Sequence, residues 1–453
     1  MLKRTIAFLL LIYFRELAKL QLRKASPTII GITGSAGKTS LRNAIAAVLK
    51  DHRKIKVSLK ANSESGIPLN ILGLSPKDYS FFDWARLSLL APITLLTNWE
   101  PYDVYIAELG IDSPLPPKNM EYLLTIVRPA IGVFLNVLPV HGQFFDGLVP
   151  QTIKDPKERR ARVSDAIAEE KGKLITSLPK TGVAILNADD PKVIAFFGKT
   201  KARVVTFGVR HKADLMAKDI GISLGGFSMV CKEDAKEEVK LKLGQLFPKH
   251  YAQTFLAAIA VGRYLGLSLA QCVRGLQTHF QLPKGRMSII PGIRGTVILD
   301  SSYNASRKTM EDALQTLREV APQRKIAILG DMRELGSVAK LEHEEVAKIA
   351  ARTTDMVVTV GPQMKQWFTP ELIKLGFPRK NLWSATGPYE ALDIAKKLMK
   401  DKDTVLIKGS QNALFLEIVT QGLMQNPKDA NKLLCRRGRF WDGKREQLKQ
   451  SER

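Results

Sequence analysis

The sequence predicts an α/β protein in three parts: an apolar helix (residues 1–25), a central domain with a parallel-rich sheet (26–284) and a C-terminal Rossmann-like α/β domain (285–453). Three observations carry this. A β-branched run, Thr28 to Thr33, passes straight into a glycine turn and then into a helical pattern over residues 40–50. From Arg286 onward, strand and helix patterns alternate cleanly. Ten residues near the start, Thr5 to Phe14, form an apolar stretch between basic flanks. A length of 453 residues, 45% hydrophobic and 7% aromatic, is ordinary for a folded α/β chain.

Met1 to Lys24 reads as a helix whose apolar stretch is flanked by Lys3, Arg4, Arg15, Lys19, Arg23 and Lys24. Ten residues are too few to span a bilayer. That length suits a helix lying on an anionic membrane surface, or one packed on its own domain or on a partner. No small-residue cleavage site marks a signal peptide. Cys231, Cys272 and Cys435 stand far apart, offering neither a disulfide framework nor a metal-binding pair. A cytoplasmic protein, peripheral on the inner face of the membrane, is the expectation.

The turn is Thr33-Gly34-Ser35-Ala36-Gly37-Lys38-Thr39-Ser40. Backbone N–H groups exposed by its glycines, with the positive end of the following helix, form an anion cradle. Lys38 can reach the terminal phosphates of ATP, and the Thr39 hydroxyl can ligate Mg²⁺. The common spacing would put glycine at position 32, which is isoleucine here. What remains is a compact variant, Thr-Gly-x-x-Gly-Lys-Thr, of a P-loop ATPase domain.

The apolar segment Tyr79 to Trp99 reads as core packing or as a helical hairpin near the surface of the first helix. Val104 to Gly110 is a buried strand ending in Glu108, a charge that needs a metal or a base as partner. Ile131 to Val137 ends in the same way and leads to His141, which would set a carboxylate and an imidazole at neighbouring tips of a parallel sheet. Beyond a boundary near Leu282-Pro283-Lys284-Gly285, strands are expected at 296–300, 325–330, 356–361, 381–384 and 404–408. The tail from Lys432 is basic and partly frayed, with Leu433, Leu434 and Trp441 to hold it.

From about Ser26 to Trp441 the chain resembles the Mur ligase superfamily, nearest its F-type members. The residues that carry the resemblance are, besides Thr33 to Thr39, Asn62-Ser63-Glu64-Ser65-Gly66-Ile67-Pro68, Glu108-Leu109-Gly110, Asn136 to His141, Ile167 to Gly172 around Lys171, and Asn187-Ala188-Asp189-Asp190. In the C-terminal part they are Gly285-Arg286-Met287, Asp300-Ser301-Ser302-Tyr303-Asn304-Ala305, Ile328 to Gly336 followed by His343, and Leu406 to Ser410. Their order and spacing together are specific.

The resemblance implies an ATP-dependent amide ligase of peptidoglycan precursor synthesis, joining D-alanyl-D-alanine to a UDP-muramoyl tripeptide through an acyl phosphate. It implies that Thr39 and Glu108 hold Mg²⁺, with His141 and a carbamylated Lys171 helping a second ion. It also implies that Asp300, Tyr303 and Asn304 contact the nucleotide and that Arg286 adds positive charge on closure. Asn62, Asp331 and Lys408 are expected near the acceptor or the incoming dipeptide.

Three departures stand out. F-type members begin with a domain that grips UDP, whereas only the apolar helix precedes the loop strand here, so a lipid carrier could replace the nucleotide handle. His250-Tyr251-Ala252-Gln253-Thr254 lacks the two asparagines of the family's adenine-side motif, and Ser306-Arg307 replaces its Asn-Pro. A ligase of a lipid-linked wall precursor or of a polyglutamate chain is therefore an alternative. So is a membrane-associated ATP-binding module without catalysis. The net charge of +25 calls for an anionic partner. It is not expected to be nucleic acid, since no interleaving of aromatic and basic residues of the RNA-binding kind occurs.

Overall fold

The structure, a computed structural model, describes residues 2–59, 61–138, 142–233, 237–410 and 414–451. The first helix, α1 (Leu2–Ala25), leads into β1 (Thr28–Thr33), which is buried from its second residue on and so needs an apolar run rather than alternation. After the glycine turn, α2 (Lys38–Leu49) lays Leu41, Ala44, Ile45 and Val48 on the sheet at helical spacing. Then come β2 (Ile55–Val57), α3 (Gly66–Leu72), α4 (Phe81–Thr97), β3 (Val104–Glu108), β4 (Ile131–Phe134), β5 (Val183–Asn187) and β6 (Arg203–Gly208). β7 (Leu215–Ser223), β8 (Gly226–Glu233) and β9 (Glu237–Leu243) complete the first sheet.

The strand order is β2-β3-β1-β4-β5-β6-β7-β8-β9, parallel through β7 and antiparallel from there. β3 and β4 therefore flank β1 on opposite sides instead of neighbouring each other, which corrects the expected adjacency of their tips. The loop that follows β1 sits between them. Parallel pairing also puts the carboxyl ends of β1, β3, β4 and β5 on one edge, where open α/β sheets bind ligands.

The second sheet contains β10 (Ser288–Pro291), β11 (Val297–Ser301), β12 (Lys325–Gly330), β13 (Met356–Val360), β14 (Leu382–Ala385) and β15 (Thr404–Lys408). Its order is β10-β11-β15-β12-β13-β14, parallel except for β10. β10 has no counterpart in the sequence reading, because four residues next to a domain junction give no usable period. The tail forms the helix Arg439–Ser451, and Trp441 lies 6.2 Å from Phe415, centroid to centroid.

Within residues 79–99 the chain forms no hairpin but the single helix α4, which packs as core on one side only. It is capped by Ser80, whose hydroxyl accepts the Asp83 N–H. Only Asp83, Leu87 and Ala91 of it are buried. The inner side packs on α1 around Phe14, and most of its large apolar residues face outward. No helix among the described residues is long and apolar enough to cross a membrane.

Candidate active site

Where β1 ends, the chain turns at Gly34 and Gly37 into α2. Gly37 has φ 82°, and a Cβ there would lie 2.9 Å from the Leu135 side chain, so the turn accepts only glycine. The turn is braced from β4: Asn136 Oδ1 accepts the N–H groups of Ser35 and Ala36 at 3.0 and 2.9 Å, and its amide donates to the Ala36 carbonyl at 3.0 Å. Ser35 and Leu138 exchange two further bonds. The loop thus keeps its shape through protein contacts alone.

Lys38 Nζ donates to the Gly34 carbonyl at 2.8 Å. Burial holds its ammonium below the usual lysine range, with Glu108 acting against that. The Thr39 hydroxyl lies 3.1 Å from both carboxylate oxygens of Glu108 at the end of β3. Arg42 stands 3.5 Å from the same carboxylate. At the end of β1 the Thr33 hydroxyl is buried and has no hydrogen-bond partner among the described residues.

These oxygens suit a hard divalent cation. Mg²⁺ needs only one or two protein ligands when waters and phosphate oxygens fill the rest of its shell. Among the described residues no group of three or more His, Cys, Asp or Glu forms a metal cluster. His141, expected as a further ligand, lies outside the described residues. Lys171 is buried, off the cavity wall; desolvation, then the charge of Lys38, drives its amine well below the usual range.

The loop opens on a cavity of about 710 Å³ that both sheets line. Ser35 to Ser40, Asn62 and Glu108 come from one side; Arg286, Tyr303, Asn304 and Lys408 come from the other. The Arg286 guanidinium lies 4.6 Å from the centre of the Tyr303 ring. Lys408, at the end of β15, donates to the Asn304 carbonyl at 2.8 Å and to Ser301 Oγ at 3.2 Å. Burial and then Arg286 push its pKa down to about 7. Asp300 sits one layer behind, where Ser302 N–H and the Thr420 hydroxyl bond one oxygen and the other has no hydrogen-bond partner among the described residues.

Asp331 does not join this group. Its carboxylate accepts the Met364 N–H at 2.7 Å and packs against Gly361, so it caps a helix instead of facing the cavity. β12 and β15 are neighbours, and of the two residues at their ends Lys408 lines the cavity whereas Asp331 does not.

On the other flank Tyr251, at one of the replaced positions, and nearby Gln253 are bonded within the protein. Tyr251 hydroxyl lies 3.1 Å from Ser40 Oγ, and Gln253 donates to Asp189 at 3.0 Å. Burial raises the Asp189 carboxyl, but bonds from Val209, His211, Gln253 and Arg210 outweigh it and leave it low. Several cavity residues escaped the sequence reading. Arg160, Arg210, Arg307 and Arg333 line the wall; Arg160 and Arg210 belong to no local motif, Arg333 fills an unspecified position of the Ile328 to Gly336 stretch, and Ser306-Arg307 stood out only as a departure.

Sequence and structure comparisons agree with this arrangement. The description "Mur ligase middle domain" matches residues 162–262, and "Mur ligase, glutamate ligase domain" matches residues 285–411. A relative from Mycobacterium tuberculosis (strain CDC 1551 / Oshkosh), named UDP-N-acetylmuramoyl-tripeptide–D-alanyl-D-alanine ligase, is 30% identical over 89% of this chain and 74% of its own. The protein of that name from Escherichia coli K12 is 26% identical over 91% of this chain and 80% of its own. Against the Mycobacterium tuberculosis H37Rv protein the match spans 60% of the relative's length. A solved MurF ligase from Thermotoga maritima, in complex with ADP, superposes with a TM-score of 0.72 at 23% identity over 93% of this chain and 84% of its own. That likeness is one of fold.

Proposed function

The chain belongs to the Mur ligase family, and from that premise we propose that it is an ATP-dependent amide ligase joining D-alanyl-D-alanine to a UDP-muramoyl tripeptide. One observation supports this above the others: the Thr39–Glu108 pair and Lys38 share a cavity with Arg286 and Lys408, which come from the opposite sheet. The working parts are residues 26–284 and 285–453, with 1–25 as an appendage at the inner face of the membrane.

A carboxylate resists amines until one of its oxygens becomes a leaving group. The γ-phosphoryl of ATP passes to the tripeptide carboxylate, giving an acyl phosphate and ADP. The amine of the dipeptide then forms the C–N bond, inorganic phosphate departs and the amine's proton goes to solvent or a base. Lys38 neutralises charge on the transferred phosphoryl group. Arg286 and Lys408 supply positive charge where the tetrahedral oxyanion develops. Tyr303 and Asn304 border the nucleotide, with Asp300 behind them, and Asn62 borders the acceptor. Thr39 and Glu108, with Lys171 as its carbamate and His141, would hold Mg²⁺, which supplies Lewis-acid charge beside the phosphates.

Phosphate release from ATP tests the reading. Turnover should need both UDP-muramoyl tripeptide and D-Ala-D-Ala, and Lys38→Ala should abolish it. Stimulation by a lipid-linked acceptor alone would move the assignment to a ligase of different substrate. Tight ATP binding with no stimulation by either acceptor would leave a binding module.

A further inference from the structure

α4 has a face that nothing else in the described chain covers. Its inner side is fixed on α1: the Tyr13 hydroxyl donates to the Ser88 carbonyl at 2.8 Å, and Lys24 Nζ donates to the carbonyls of Leu95 and Asn98, both at 2.9 Å. These contacts advance in step along both helices, which therefore run side by side in the same direction. The outer side carries Phe82, Ala85, Leu89, Pro92 with Ile93, and Leu96, at helical spacing along one stripe. Phe82, Leu89 and Leu96 are 82%, 73% and 74% exposed. The only ionisable groups within the helix, Asp83 and Arg86, are bonded to each other.

We propose that this outer face of α4 enters a membrane, lying flat in the interfacial layer of an anionic bilayer. At 17 residues α4 is about 25 Å long, suited to lying along the surface. Exposed amphipathic rings flank its two ends, Tyr79 before it and Trp99 after it, and such rings favour the headgroup level. The charge that draws it there lies on α1: residues 1–25 hold six basic and one acidic residue. Lys24 sits 3.5 Å from the centre of the Trp99 ring, joining the basic helix to the apolar one at that end. A specific protein partner would want polar groups around an apolar centre, and the stripe offers almost none.

The inference refines the peripheral location proposed above and is independent of the ligation chemistry. It is tested with the full chain, by sedimentation with phosphatidylcholine vesicles with and without phosphatidylglycerol, and by quenching of tryptophan with bilayer-embedded bromolipid. The wild type should bind only the anionic vesicles, with quenching that Trp99→Phe reduces. The triple variant Phe82→Ser/Leu89→Ser/Leu96→Ser should bind at least about tenfold more weakly, with unchanged melting temperature and ATP turnover. Arg23→Glu should weaken binding and flatten its salt dependence. If the triple variant binds like the wild type, α4 is not the contact, although the peripheral location stands. If the wild type ignores anionic vesicles, both ideas fall. A wild-type dimer that the triple variant dissolves would assign the stripe to a second copy and overturn the proposal.

Discussion

At the scale of single residues, three buried lysines stand in or behind the site, and burial holds each of them low beside a different charged neighbour. Lys38 is desolvated but faces Glu108; Lys171 is desolvated and faces Lys38; Lys408 is desolvated and faces Arg286. Substituting Lys38 by alanine removes charge from the phosphoryl group, and phosphate release should fall by at least about 100-fold while circular dichroism is unchanged. Lys408 makes a separate prediction. Its pKa is about 7 in the fold against an ordinary 10.5, so burial of its ammonium costs stability in full below pH 7. Between those values the unfolded chain binds the extra proton, and the cost is relieved as pH rises. Lys408→Met should therefore raise the melting temperature of the ligand-free protein at pH 7, by an amount that shrinks toward pH 9, while slowing turnover. An equal gain at both pH values would argue that the ammonium is not buried.

Among the elements, the turn after β1 and the loop after β12 both depend on one side chain from elsewhere. Asn136 supplies three bonds to the first, so Asn136→Ala should weaken nucleotide binding at least tenfold and cost about 1–3 kcal/mol, readable by calorimetry and urea unfolding. The second is held by His343, whose Nε2 accepts the Met332 N–H at 3.1 Å and whose Nδ1 bonds the Ala339 carbonyl at 2.7 Å. Burial lowers its pKa from 6.5 to about 4. Here the folded state refuses a proton that the unfolded chain accepts, so this contribution is complete above pH 6.5 and lost as pH falls toward 4. The loss amounts to roughly 3 kcal/mol across that window. Urea titrations at pH 7 and pH 5 should show the slope in the wild type and a smaller one in His343→Gln.

For the whole molecule, a buried ion pair and further polar contacts tie the two sheets' halves together. Arg160, on the helix Pro156–Thr176, pairs with Glu342, which is 1% exposed and also faces Arg307 at 3.9 Å. Burial raises the Glu342 carboxyl, and the two arginines oppose it. Arg159 holds Asp146 at 2.8 Å, and Asp146 accepts the Ser337 hydroxyl at 2.9 Å; His250 meets Asp312 at 3.1 Å. Arg160→Met should leave Glu342 underpaired, costing about 3 kcal/mol or opening the halves. X-ray scattering should then record a larger radius of gyration and assays a slower turnover. An unchanged radius with unchanged turnover would mean that the remaining contacts suffice.

What the sequence could determine was local. A β-branched run, a glycine turn and a lysine–threonine pair constrain a few consecutive backbones, so β1, the cradle and α2 follow from the residues themselves, as do the parallel strands from β11 to β15. Glu108 at its strand tip belongs with them, since a buried carboxylate demands a partner. The meeting of residues a hundred positions apart leaves no periodic trace. Asn136 bracing the turn, Tyr251 bonding Ser40, Arg160 crossing to Glu342 and Asp331 turning away to cap Met364 were decided by tertiary structure. Hydrophobicity likewise says that a side chain prefers to leave water, not what will cover it. The 79–99 segment reads as core or as a surface hairpin, and in the folded chain α1 covers one side of it while the other side stays in the open.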